Sequence, residues 1–154
     1  MFDSQVRGFR IVIVCNGEEV YVLVSVSDNW DKAVDILGLK GKVFSGGIER
    51  CDFSVAQLSE LVNLGLTKLD YSFNQSPMVE VFLEVGKQAE AFGATVTFIG
   101  FLESKGRPDA ILTVEGIEIT DFPDSASLIM EFSQAFHEAD EFTTNAEMLR
   151  AWFD

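Results

Sequence analysis

One stretch restricts the fold more than any other. Met78, Phe82, Val85, Ala89 and Phe92 recur at alternating steps of four and three, Gly93 follows, and Thr95 to Leu102 is then almost continuously apolar. The first pattern lays a single apolar stripe along a helix opened by Ser76-Pro77, and the glycine stands where a left-handed helix stop belongs. The second reads as a strand, so the chain must supply a sheet for it and cover that sheet on at least one face.

The flanking residues supply candidates. Residues 9 to 15 and 20 to 26 are β-rich and separated by Asn16-Gly17-Glu18-Glu19, which predicts an N-terminal hairpin with an Asn-Gly turn. Ser27 or Asp28 can cap a helix from Asn29 to Leu37 that presents Trp30, Ala33, Val34 and Leu37 and ends at Gly38. A strand or two follow in Lys42 to Asp52, interrupted by Gly46-Gly47. Ser54 with Gln57 makes a capping box for a helix striped by Val55, Leu58, Leu61 and Val62, which Gly65 stops. Thr67 to Phe73 reads as a strand. Strand, helix, strand, helix, strand across residues 42 to 102 then implies right-handed parallel crossovers.

Further on, Ala110 to Val114 and Ile117 to Thr120 flank Glu115-Gly116 and predict a tight hairpin. Pro123-Asp124 opens a helix to about Ala139, with Leu128, Phe132, Ala135 and Ala139 inward. Thr144 and Glu147 form a second capping box, for a short last helix carrying Met148, Leu149, Trp152 and Phe153. The expected architecture is therefore α+β (mixed α/β), a single domain over 1–154. It has a partly parallel sheet with flanking helices, an N-terminal β-hairpin, and a late β-hairpin followed by two C-terminal helices.

A chain of 154 residues with 47% hydrophobic content and 14 Phe has ample material for one core, and no Pro, Gly or Ser cluster suggests a linker. The first apolar run, Ile11 to Cys15, is too short for a secretion signal or a membrane span. Cys15 and Cys51 lack CxxC spacing and read as buried thiols of a cytoplasmic protein.

Chemical motifs are few. His137 is the sole histidine; it neighbours Glu138, can reach Glu141, and reads as a surface residue. Gly38, Gly41, Gly46 and Gly47 fit no nucleotide-binding spacing. Asp28, Asp31 and Asp35 recur at a helical period, but an N-cap and a first-turn acid account for two of them. The phrase LSELVNLGLTKLDYSFN resembles one leucine-rich repeat, and a single copy cannot stack. Gly106-Arg107-Pro108-Asp109-Ala110-Ile111-Leu112, followed by Ile117-Glu118-Ile119-Thr120, resembles the PD-(D/E)xK nuclease family. That resemblance implies a divalent metal held by Asp109 and Glu118, whereas Thr120 stands where the family has its Lys. On the predicted hairpin the two acids sit four ladder steps apart, roughly 13 Å at ~3.3 Å per residue, too far to share one ion. A small-ligand pocket near Asn74-Gln75-Ser76 and Glu103-Ser104, at the ends of the expected parallel strands, is a further alternative.

Charge is the stronger lead. Residues 1 to 107 carry 14 acids and 10 bases, whereas residues 108 to 154 carry 11 acids and one base, Arg150. Asp124, Glu131 and Glu138 are seven apart and would line one helix face opposite its apolar stripe, with no base within a turn. A concentrated negative field steers cationic partners and repels nucleic acid backbones. The expectation is a non-enzymatic acidic interaction protein, with neither cofactor nor metal, that binds a basic protein such as a toxin or a nucleic-acid-binding enzyme, and neither nucleic acid nor membrane directly. Its partner-binding residues would be Asp121, Asp124, Glu131, Glu138, Asp140, Glu141, Glu147 and Trp152.

Overall fold

The computed structural model describes residues 9–15, 18–24, 26–41, 48–103 and 112–154. Two strands, β1 (Phe9–Cys15) and β2 (Glu18–Val24), form an antiparallel pair in which Cys15 faces Glu18 and Phe9 faces Val24. That register is what a two-residue connection requires. Asn16-Gly17 itself lies outside the described residues, as do the Lys42 to Gly47 part of the next expected strand and the side chain of Cys15.

The larger sheet contains β3 (Ile48–Phe53), β4 (Thr95–Glu103), β5 (Gly116–Thr120), β6 (Glu141–Thr144) and β7 (Met148–Trp152) in the order β3-β4-β5-β7-β6. Every pairing in it is antiparallel, which overturns the expectation of a partly parallel sheet. The cause is residues 67 to 73, which do not form a strand. They fold as a loop whose carbonyls serve the next helix: Tyr71 O and Leu69 O accept from the N–H groups of Val79 and Glu80 at 2.8 and 2.9 Å. These are first-turn donors that a helix cannot satisfy internally. Without a strand between them, α2 (Val55–Asn63) and α3 (Val79–Ala91) follow one another directly. One helix between strands returns the chain to the same end of a sheet; two deliver it to the opposite end, so β4 comes back antiparallel to β3.

Residues 112 to 120 depart from the sequence reading as well. Leu112 bridges Leu102, the N–H groups of Thr113 and Glu115 donate to Phe101 O and Ile99 O at 3.0 and 2.9 Å, and Gly116 then faces Ile99. Glu115-Gly116 is therefore no hairpin tip, since the segment runs on in one direction beside β4. Between the two pairings, three residues (113–115) oppose two (100–101), which is a β-bulge. Gly100 makes it possible: a Cβ there would lie 1.9 Å from Thr113 O. Thr113 Oγ1 accepts from the Phe101 N–H at 3.0 Å and holds the bulge from the side.

The expected last helix is also replaced. Only α4 (Ala126–Phe136) is helical in this part of the chain, and β6 and β7 form a hairpin after it. Asn145 Oδ1 accepts from the N–H groups of Glu147 and Met148 at 2.9 and 2.8 Å, so the Thr144–Glu147 stretch is a side-chain-closed turn. Packing decides against the helix. Leu149, Ala151 and Phe153 alternate into the core, at most 2% exposed, while Met148, Arg150 and Trp152 take the other face.

Helices α2, α3 and α4 pack against one face of this sheet, and α1 (Val26–Ile36) packs on α2. Phe82 of α3 centres the core, with ring centroids 5.0, 6.2 and 6.5 Å from Phe136, Phe153 and Phe98. The local reading holds here. Both capping-box bonds of α2 are present, Gln57 N to Ser54 Oγ at 3.2 Å and Ser54 N to Gln57 Oε1 at 2.8 Å, and Gly38, Gly65 and Gly93 follow their helices with positive φ. Helix α1 starts earlier than expected, at Val26, which places Ser27 and Asp28 within its first turn. None of the described helices is long and apolar enough to cross a membrane.

The bulge gives a direct test. Gly100→Ala should cost about 3 kcal/mol in urea unfolding, because the added methyl meets backbone rather than a side chain able to move. Gly93→Ala, at φ +85° with open space around the new Cβ, should cost only about 1 kcal/mol. Equal losses would contradict the close approach of residues 100 and 113.

Candidate functional site

Helix α4 carries fewer acids than its sequence suggests. Ser125 is its N-cap, accepting from Leu128 N at 3.3 Å, and His137 is its C-cap. Asp124 therefore precedes the helix, Glu138 follows it, and only Glu131 of the expected column lies on it. Eleven residues span about 16 Å at ~1.5 Å each, longer than the ~10 Å Debye length at 0.1 M salt. The carboxylates act as two patches. Asp121, Asp124 and Glu147 gather at the end of the sheet where Thr120 pairs with Met148, whereas Glu138, Asp140 and Glu141 lie at the opposite end, where Glu141 pairs with Trp152.

Several expected partner-binding side chains have structural attachments. Asp121, at φ +54°, accepts on Oδ2 from Thr95 Oγ1 at 3.0 Å. Asp140 Oδ2 accepts from the Asp154 N–H at 2.9 Å. Arg150 lies between Glu118 and Glu141, its Nη1 3.5 Å from Glu118 Oε2 and its Nη2 3.4 Å from Glu141 Oε2. Trp152 stands on the sheet face opposite the helices, edge-on to Phe101 at 6.0 Å, with the Arg50 guanidinium 5.7 Å from its ring centroid. Asp124, Glu131, Glu138 and Glu147 are exposed, and among the described residues no Lys or Arg pairs with them. His137 Nε2 lies 3.9 Å from Glu138 Oε1.

The two patches differ in electrostatic sense. Acids at a helix N-terminus complement the partial positive charge there, so the Asp124 end needs no other explanation. At the C-terminus the same charges oppose the dipole by some tenths of a kcal/mol each, and the last turn of α4 has no Lys or Arg. No described N–H donates to the Ala135 carbonyl either. Beside it opens a cavity of about 220 Å³, bounded by the Gln75–Pro77 turn, Ala135, His137, Glu138 and Phe153.

The turn on the far side of that cavity is strained. Asn74 and Gln75 both have positive φ, +47° and +61°, and Ser76 N donates to Phe73 O at 2.8 Å. Non-glycine residues hold such angles at a cost of roughly 1–2 kcal/mol each. What holds Asn74 is Glu115. Its carboxylate, in a residue only 7% exposed, accepts from Asn74 Nδ2 at 3.1 Å. The bulge puts Glu115 there and engages its main chain too, the carbonyl accepting from Phe153 N at 2.9 Å. Sequence reasoning missed Glu115 by assigning it to a hairpin tip, although an acid alone between Val114 and Gly116-Ile117 was a legible oddity. Gln75 and Ser76 border a cavity, but one formed with Ala135, His137, Glu138 and Phe153 and not at parallel strand ends, and Asn74 is not part of its lining.

Other candidates stay apart. Asp109 and Ser104 lie outside the described residues, and Glu103 offers its main-chain carbonyl to Trp30 Nε1 at 2.9 Å. Among the described residues no three His, Cys, Asp or Glu side chains converge as metal ligands. Cys51 is buried, its Sγ donating to Gly100 O at 3.7 Å. Compared with known protein families, with curated proteins and with solved structures, the chain matches none.

Paired glycine substitutions separate strain from hydrogen bonding at the turn. Asn74→Gly keeps the left-handed backbone but removes the donor to a buried carboxylate, and should lower stability by about 2 kcal/mol. Gln75→Gly relieves strain against a smaller entropic cost and should raise it by about 0.5 kcal/mol. Thermal unfolding of both variants reads the signs; equal destabilisation would remove Glu115 from the account.

Proposed function

We propose that this chain is a non-enzymatic acidic interaction protein that binds, and by binding blocks, a basic partner protein, such as a toxin with a cationic active site or a nucleic-acid-binding enzyme. One observation carries this reading: Arg150, the single Lys or Arg after Arg107, is already taken by Glu118 and Glu141, and no described Lys or Arg pairs with the exposed Asp124, Glu131, Glu138 and Glu147. A solubilising surface would be served as well by interspersed charges of both signs, and better by acid–base pairs along α4. Patches of one sign give steering and reject wrong partners. The alternative of a divalent-metal enzyme around Asp109 and Glu118 has less support, since Glu118 is engaged by Arg150.

The test is kinetic. With the partner isolated from the native host, Glu131→Lys combined with Glu138→Lys should slow association roughly tenfold or more at low salt, while circular dichroism and melting temperature stay near wild type. Added salt should slow the wild-type protein toward the variant. Association indifferent to both changes would end the proposal.

A further inference from the structure

The geometry points to the cavity at the C-terminal end of α4 as a socket for the guanidinium of an arginine on the partner. This rests on the basic-partner reading and names where it is anchored. The residues that bound it bring acceptors, Glu138, Gln75 and Ala135, to whose carbonyl no described N–H donates, and one basic group, His137, whose Nε2 is 3.9 Å from Glu138 Oε1. A guanidinium carries five donors in a planar fork and no acceptor, which suits a wall of this kind, whereas an ammonium is a compact point charge. The potential agrees. The C-terminal end of a helix is partially negative, cations are favoured there, and the last turn of α4 supplies no Lys or Arg, only the His137 ring at its C-cap.

Size decides between a free ligand and a side chain. At about 220 Å³ the cavity is smaller than the roughly 300–1,000 Å³ of pockets that enclose whole small ligands. A single side chain presented by a protein surface fits that volume. The chain also invests in keeping the socket open: the left-handed turn that walls it is tied through Asn74 to the buried Glu115.

The experiment is a titration of the full-length isotope-labelled protein with an acetylated, amidated Gly-Ser-Arg-Ser-Gly peptide and with its lysine counterpart, followed by amide chemical shifts. Shifts should concentrate on Gln75, Ala135 and Glu138, with the lysine peptide binding about threefold or more weakly. Ala135→Leu fills the cavity at constant charge and should abolish those shifts. Glu138→Gln should weaken binding about tenfold, whereas Glu90→Gln, which removes an equal charge at the far end of α3, should change it less than about twofold. Should Ala135→Leu be poorly folded, the Glu138 and Glu90 variants decide alone. Equal losses from those two, or shifts undisturbed in Ala135→Leu, would show diffuse attraction and overturn the socket. With the native partner, association slowed by the Glu131 and Glu138 reversals but unaffected by Ala135→Leu would overturn the socket and leave the basic-partner reading standing; indifference to all of them would remove both.

Discussion

The approach of the chain at Thr113 to Gly100 is the contact on which the other features rest. Because Gly100 has no side chain, residues 112–115 can lie against β4 closely enough to slip the register by one. That slip keeps Ile117 and Ile119 on the helix-covered face, where Phe98 and Val96 pair with them. It also leaves Glu115 at the end of the sheet with its main chain bonded to Ile99 and Phe153. A side chain at residue 100 would disturb the core register, the seat of Phe153 and the support of the 73–76 turn together.

Electrostatics then give the two ends of α4 different roles. Near Ser125 the carboxylates are consistent with ordinary helix stabilisation, and Asp121 is occupied by threonine hydroxyls. Beyond His137 they work against the helix, and Glu138 among them borders the cavity. The Arg150 clasp matters for the same reason: it uses the one local base to hold β5, β7 and β6 together across the helix-free face, so it has no charge left for the opposite side.

What could be read from the sequence was what neighbours in the chain decide. The α2 capping box, the glycine stops after α1, α2 and α3 and the strand after α3 are all set within a few residues, and all are present; of the expected α3 stripe Phe82, Val85 and Ala89 are buried, whereas Met78 and Phe92 are exposed caps and the helix starts at Val79 rather than at Ser76-Pro77. What could not be read depends on contacts from afar. Thr67 to Phe73 has strand-like composition but finds its hydrogen bonds at the start of α3, and losing that one strand reverses the direction of everything after it. The bulge needs a glycine 13 residues earlier in the chain. Residues 148–153 satisfy both a helical and an alternating pattern, and only the sheet edge offered by β5 selects the second. The charge imbalance was plain in the sequence, but its division into two patches followed from a helix shorter than its pattern.

The strand order also governs how this sheet can assemble. Along β3-β4-β5-β7-β6, sequence neighbours are spatial neighbours except at the step from β5 to β7, across which α4 and β6 intervene. The β6–β7 pair can close first through the Asn145 turn and then dock on β5, an order of events with short loops throughout. Joining β3 to β4 is different, since the chain between Phe53 and Thr95 holds two helices and must be gathered before a single ladder bond forms. Of the pairings in this sheet, the one that seats edge strand β3 therefore closes the longest connection and carries the largest chain-entropy cost.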